Sequence, residues 1–205
     1  MSYLPNRGKG YALKRGFEKA LEEGFDFAVT LDADGQHFPE DVTKLTSLLS
    51  GDKVPSEVLV VGTRNLSAEG MPVKNSFANR FSNFWFRLQT GIALSDTQTG
   101  FRLYSLHALP KLGWITNRYE SELELLVFSA WRGVKILSQP IQVYYPPQEE
   151  RVSHFRPFAD FVRITLLNTV LTLLTPFAQF LLRSHCGKRK QNTTKQMAFG
   201  ERKCP

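Results

Sequence analysis

Asp32 and Asp34 stand two residues apart, just after the short apolar run Phe25-Asp26-Phe27-Ala28-Val29, and Gln36 follows two residues later. The run reads as a buried strand, rich in aromatic and β-branched residues. Along an extended chain the i, i+2 spacing puts both carboxylates on one face. In open α/β sheets, ligands gather beyond the carboxyl ends of the strands. Two carboxylates converging there repel each other unless a positive charge lies between them. A hard divalent cation carrying a phosphorylated ligand satisfies that need, and the Gln36 amide adds a neutral oxygen. A plain Asp-Gly turn after a strand is the simpler alternative.

Other residues that could do chemistry lie at comparable places. Gly8-Lys9-Gly10 opens a stretch in which Tyr11, Leu13, Phe17, Ala20 and Leu21 recur at helical spacing. Glycines at a helix N-terminus allow close approach of an anion to backbone amides, or simply a tight helix entry. The Gly-Lys-[Ser/Thr] ending of a Walker A loop is absent. Thr63 and Arg64 follow the apolar run 57–62, so Arg64 falls at the same sheet edge as the paired carboxylates. Its planar fork suits a diphosphate; a surface or structural ion-pair role is the alternative. Lys74, Asn79 and Arg80, on a helix spanning 74–89, are candidates to meet an acceptor phosphate. The segment Ser95-Asp96-Thr97-Gln98-Thr99-Gly100-Phe101-Arg102-Leu103 reads locally as a polar turn with Arg102 facing outward.

The stretch Asp32-Ala33-Asp34-Gly35-Gln36-His37, with Pro39-Glu40-Asp41 after it, resembles the family 2 glycosyltransferases. So do Asn6-x-Gly8-Lys9-Gly10-x-Ala12 one helix earlier and Asp96-x-x-Thr99-Gly100-Phe101-Arg102 further on. The last pattern points to the branch of polyprenol-phosphate (dolichol-phosphate) mannosyl- and glucosyltransferases. The resemblance implies a nucleotide-sugar enzyme of GT-A fold, in which Asp32 and Asp34 hold Mg or Mn against the sugar diphosphate and Gln36 completes the metal shell. It implies donor contacts for Gly8 and Lys9, and a wall around sugar and acceptor that includes Asp96 and Arg102. It also implies an acceptor-phosphate Arg in the 74–89 helix, for which Arg80 is the candidate. Glu124, nine residues before Gly133, has the spacing of a recurrent family Glu. Arg151 matches the Arg of a mobile loop that can close on the diphosphate. A lipid phosphate is already an anion, so no general base is required and Asp96 is given a positioning role. Asp34, Arg64 and Arg151 are the expected catalytic set. Family members carry two further strands before this point, so the chain is expected to lack the first part of the family domain.

These residues must be held by an α/β sheet with helices on both faces. Helices are expected over 11–21, 39–49, 74–89 and 119–131, and strands over 25–29, 57–62, 134–137 and 141–145. On the 74–89 helix, Phe77, Phe81, Phe84, Trp85 and Leu88 form an aromatic stripe assigned to the core. On the 119–131 helix, Glu120, Glu122 and Glu124 are assigned to a solvated face.

The 205 residues suffice for one α/β domain with appendages. Residues 183–205 hold seven basic residues and one acid, which accounts for +6 of the net charge of +7. The basic balance therefore describes a tail and excludes a nucleic-acid-binding face. Both cysteines, Cys186 and Cys204, lie in that tail, which excludes a zinc site or disulfide framework. Residues 164–182 carry no charge and include 12 Ile, Leu, Val, Phe or Ala. Basic residues on both flanks, with Asn168 and Pro176 inside, favour a helix lying in an anionic interface over one that crosses it. The expected organisation is a partial family 2 domain over 1–157, an amphipathic or membrane-associated helix over 158–182, and a basic disordered tail over 183–205.

The leading functional expectation is inverting transfer of a hexose from a nucleotide-diphosphate sugar to a polyprenyl phosphate, at the cytoplasmic face of the cell membrane. A family 2 transferase using another saccharide or lipid-linked acceptor is the alternative among enzymes. A non-catalytic truncated remnant is the alternative of another class.

Overall fold

The computed structural model describes residues 5–50, 57–65, 73–109, 115–145 and 162–178, with the side chains of 73–77 left out. Helix α1 (Lys9–Glu22) leads into β1 (Phe27–Thr30), then α2 (Asp41–Ser47) and β2 (Val58–Thr63). The long α3 (Val73–Thr90) precedes β3 (Arg102–Ser105) and a short 3-10 turn, and α4 (Glu120–Trp131) precedes β4 (Lys135–Pro140). A further helix, α5, occupies 162–178.

The four strands form one sheet in the order β1-β3-β2-β4. β3 runs antiparallel to both β1 and β2, while β2 and β4 are parallel. The carboxyl ends of β1, β2 and β4 therefore share one edge with the start of β3. Arg102 lies opposite Thr30 on one side and Val61 on the other. The chain just beyond β1 and β2 and just before β3 emerges there, which brings 31–37, 64–65 and 96–101 together.

Side-chain alternation divides the core into two layers. Leu59, Val61 and Tyr104 face a cluster with Phe17, Phe86, Leu126, Leu167 and Leu171, supplied by α1, α3, α4 and α5. Val58, Val60 and Leu103 face a smaller cluster with Leu45 of α2, Phe101 and Ile141. Every residue of β2 is buried, which is why it reads as a continuous apolar run.

Three expectations are corrected by the packing. Arg102 and Leu103, read as the end of a polar turn, begin the strand Arg102–Ser105 that lies between β1 and β2. The strands expected over 134–137 and 141–145 are one strand ending at Pro140, followed by a single bridge at Val143. The aromatic stripe of α3 is not the core face. Phe84 and Leu88 are 60% and 50% exposed, whereas Asn79, Ser82, Phe86 and Gln89 point inward. That inner face is partly polar because α5 meets it with polar groups: Gln89 donates to the Asn168 side chain at 3.1 Å and to Thr172 Oγ1 at 3.2 Å.

Candidate functional site

The loop after β1 is fixed at several points. Thr30 Oγ1 donates to the Gly100 carbonyl at 2.7 Å. Gly35 takes a positive φ of 74°, and Asp34 Oδ1 accepts the Gln36 N–H at 3.1 Å, so the expected Asp-Gly turn is present as well. The Gln36 carbonyl accepts the Tyr144 N–H at 2.9 Å, His37 bridges Val143, and the His37 ring stacks on Phe101 at 5.3 Å. Asp41, buried at the start of α2, accepts the Gln142 N–H at 2.6 Å. The segment after β4 thus clamps the carboxylate loop from outside.

Within this frame Asp32 is half-buried and Asp34 exposed. Asp32 rests on Gly100: a Cβ added there would lie 2.6 Å from Oδ2 and 2.9 Å from Oδ1. Only a glycine permits that approach. Lys9 Nζ lies 2.5 Å from Asp32 Oδ1 and 2.8 Å from Glu122 Oε2. Burial alone would lower the Lys9 pKa, but the Glu122 and Asp32 carboxylates outweigh it and raise the value, so the ammonium persists. Burial pushes the neighbouring His37 below its ordinary value despite the pull of Asp32 and Asp34. His37 Nδ1 is buried without a hydrogen-bond partner.

Arg64 sits beside this group, and its fork is already engaged. Nε and Nη2 donate to Asp96 Oδ2 and Oδ1 at 2.6 and 3.0 Å. Asp96 is fully buried and also accepts from Asn79 Nδ2 at 2.7 Å and the Gln98 N–H at 3.1 Å. The bidentate geometry expected toward a diphosphate is directed at Asp96, so Arg64 is here the structural ion-pair partner. Asp96 positions Arg64 and touches no solvent. Asn79, a candidate for an acceptor phosphate, is buried against Asp96 instead.

Two further assignments change. Arg102 is fully buried, and its donors reach the carbonyls of Thr99, Glu122 and Thr97, each at 2.8 Å. It therefore holds the 97–102 segment against α4 and is not a wall residue open to ligand. Glu124, also fully buried, accepts the Ile115 and Thr116 N–H groups at 2.8 and 3.0 Å and the Thr116 hydroxyl at 2.5 Å. It anchors the entry to α4. Glu120 and Glu122 are buried too, which overturns the solvated face expected for this helix.

The glycines before α1 have a structural reason. Gly8 takes φ 99°, a Cβ there would collide with the Asn117 carbonyl, and one on Gly10 would collide with the Ser121 side chain. Tyr11 N–H donates to the Asn117 carbonyl at 3.2 Å. The close approach expected for an anion is thus made by the 117–121 segment, and Gly8 serves packing. Arg80 is exposed on α3, beside Asn79. Arg151 and the basic tail lie outside the described residues, as does the side chain of Lys74.

The structure therefore brings Lys9, Asp32, Asp34, Gln36 and Arg64 to one edge. It adds His37 and Glu122, which the sequence analysis passed over. Glu122 carried no signal: by helical spacing it stands apart from Glu120 and Glu124, which share a face, and no spacing in the sequence points to Lys9. Among the described residues no three His, Cys, Asp or Glu side chains form a ready metal cage. Asp32 and Asp34 do fit a hard cation held by one or two carboxylates together with phosphate oxygens and water. Lys9 already supplies a positive charge where such a cation would sit.

Comparison with known proteins agrees with this arrangement. Over 145 residues the chain is 35% identical to the UDP-N-acetylglucosamine--dolichyl-phosphate N-acetylglucosaminyltransferase of Methanococcus voltae, covering 68% of this chain and 57% of that protein. It is 29% identical over 140 residues to the undecaprenyl-phosphate mannosyltransferase of Micrococcus luteus, covering 65% and 56%. The chain thus spans a little over half the length of these relatives. Among solved structures, glucosyl-3-phosphoglycerate synthase from Mycobacterium tuberculosis, in complex with Mn2+, UDP and phosphoglyceric acid, superposes with a TM-score of 0.54 at 21% identity. That match covers 83% of this chain and 55% of the other, and it shows a shared GT-A fold. The sequence profile of "Glycosyl transferase family 2" matches residues 3–113, more than half of the chain, and the chain belongs to that family.

Proposed function

We propose that this chain carries the metal and sugar-diphosphate side of an inverting glycosyltransferase. It moves a hexose from a nucleotide-diphosphate sugar to a polyprenyl phosphate at the cytoplasmic membrane face. The observation that carries this reading is the convergence of Asp32, Asp34 and Lys9 at the carboxyl edge of the sheet. The curated relatives, named as polyprenyl- or dolichyl-phosphate sugar transferases, support the acceptor class.

Asp32, Asp34 and the Gln36 amide are the groups that would hold Mg or Mn. Bound there, the cation supplies charge neutralisation for a departing diphosphate. The chain's own contributions are positional. Gly100 lets Asp32 sit low against β3, the 142–144 segment fixes the loop, and Asp96 holds Arg64 at the rim. Arg80 remains a candidate for the acceptor phosphate, and Arg151 for closure on the diphosphate.

Membrane contact is supported by an apolar outer surface. On α5, Leu166, Val170, Leu173, Leu174 and Phe177 recur at helical spacing and are 43–76% exposed. Asn168, Thr172 and Thr175 turn inward together with Leu167 and Leu171. Phe84 and Leu88 of α3 are exposed as well. An apolar face of this kind suits shallow burial in a headgroup layer. Among the described residues no helix is long and apolar enough to cross a membrane.

The test is transfer of labelled sugar from uridine or guanosine nucleotide sugars to polyprenyl phosphate, by the complete chain with Mn2+. The parent should label the lipid, and Asp34→Asn should abolish labelling while circular dichroism stays unchanged. Equal labelling by both proteins would refute the metal role.

A further inference from the structure

Lys9 lies between two carboxylates that belong to different elements: Asp32 after β1 and Glu122 on α4. Its Nζ touches both at hydrogen-bond distance. Glu122 is buried, with its side chain 10% exposed, and only its Oε2 is engaged by Lys9. Glu122 Oε1 is buried and has no hydrogen-bond partner. An ammonium has three donors and can serve both oxygens of one carboxylate. Glu122 therefore holds unused acceptor capacity beside Lys9.

We propose that Lys9 is an internal counter-cation of Asp32, which an arriving divalent ion displaces onto Glu122. This inference rests on the metal role given to Asp32 above. Lys9 and Glu122 act as positioning residues. Before metal arrives, Lys9 on α1 offsets two carboxylates, one after β1 and one on α4, that would otherwise repel each other. When Asp32 turns to a metal, the ammonium stays paired with Glu122 and no buried charge is stranded. Gly10, pressed against Ser121, and Tyr11 N–H, bonded to the Asn117 carbonyl, keep the root of Lys9 fixed to α4. The exchange needs only the side chain to move.

The exchange makes opposite predictions for two neighbouring residues. In Glu122→Gln the ammonium has Asp32 as its remaining carboxylate partner, so it competes harder and Mn2+ binds more weakly. In the double variant Lys9→Met/Glu122→Gln both charges leave together, no buried charge is stranded, and the competitor is gone. Mn2+ should then bind at least about tenfold more tightly than to the parent, as removal of an adjacent like charge requires. The experiment is titration of Mn2+ alone into the complete chain, read by the electron paramagnetic resonance signal of the free ion, with circular dichroism to confirm folding. A second readout is acylation of Lys9 Nζ followed by mass spectrometry, which should change on Mn2+ addition in the parent but not in Asp32→Asn. Weaker binding by Glu122→Gln with tighter binding by the double variant supports the exchange. Equal affinity in all three proteins overturns it and leaves the metal role of Asp32 standing. Absence of Mn2+ binding in every protein, the double variant included, overturns both.

Discussion

Replacing Asp96 by Asn removes one charge and almost no volume, yet the structure requires a large effect. Both Asp96 oxygens face only donors. Oδ2 meets Arg64 Nε and the Arg64 N–H, and Oδ1 meets Arg64 Nη2, Asn79 Nδ2 and the Gln98 N–H. Whichever way the new amide is turned, its NH2 points at a donor. Removing one partner of a buried ion pair costs about 3–5 kcal/mol. Arg64 keeps 17% side-chain exposure and regains some hydration, so about 2–3 kcal/mol is expected. In a chain of this size that corresponds to a fall of about 5–10 °C in Tm. The effect should depend on pH. Burial alone would raise the Asp96 pKa, but the hydrogen bonds and charge of Arg64, with Asn79, hold it below the ordinary carboxylate value. A carboxyl depressed on folding contributes its full stability above its unfolded pKa and loses it as pH falls through the lower folded value. Parent and Asp96→Asn should therefore differ fully near neutral pH and converge in acid, below about pH 4. Thermal unfolding followed by circular dichroism across pH 3–7 reads both. A drop under about 2 °C at pH 7, or a difference that does not shrink in acid, would refute the ion-pair account.

Gly100→Ala places a methyl group against both Asp32 oxygens and should weaken Mn2+ binding at least about tenfold with a small loss of Tm, measured by the free-Mn2+ signal. Glu124→Gln leaves the amides of Ile115 and Thr116 poorly matched against a buried side chain; a loss of about 1–3 kcal/mol is expected, with faster hydrogen exchange confined to those two amides and their neighbours. Leu173→Asp with Phe177→Asp, at 76% and 65% exposure, should leave Tm unchanged and abolish sedimentation with anionic liposomes. Retained sedimentation would move the membrane contact away from α5.

Much of the frame was legible because burial and periodicity coincide. β2 is apolar throughout since both its faces are covered, and α1 shows Phe17 and its neighbours at helical spacing. The carboxylate pair was legible because its spacing and its place after a strand both carry meaning. β3 was not, because a strand bearing Arg102 inward contradicts the pattern of a central strand; the contradiction is resolved by three carbonyls that no local sequence reveals. The same holds for α4, where three buried acids look like a wet face until Lys9 and the amides of 115–116 are in place. In α3 and α5 the inner face is mixed: Phe86, Leu167 and Leu171 enter the core beside Gln89 and Asn168, whose side chains meet each other, while Phe84, Leu88 and Leu173 remain outside. Hydrophobic periodicity located the helices and could not say which side faced the sheet.

The reversed strand between β1 and β2 also governs the order in which the molecule can assemble during synthesis. Thr30 pairs with Arg102, 72 positions later, and β2 gains its other neighbour only at Lys135–Pro140. In a nascent chain that has emerged only as far as α3, β1 and β2 lack the strand that pairs with both of them. Ring closures of that length slow the search for native pairing. Unpaired strand edges left open meanwhile invite association with other chains. Residues 102–105 thus join β1 to β2 before β4 adds the last edge, and a stall in translation just before them would leave β1 and β2 without the strand that links them.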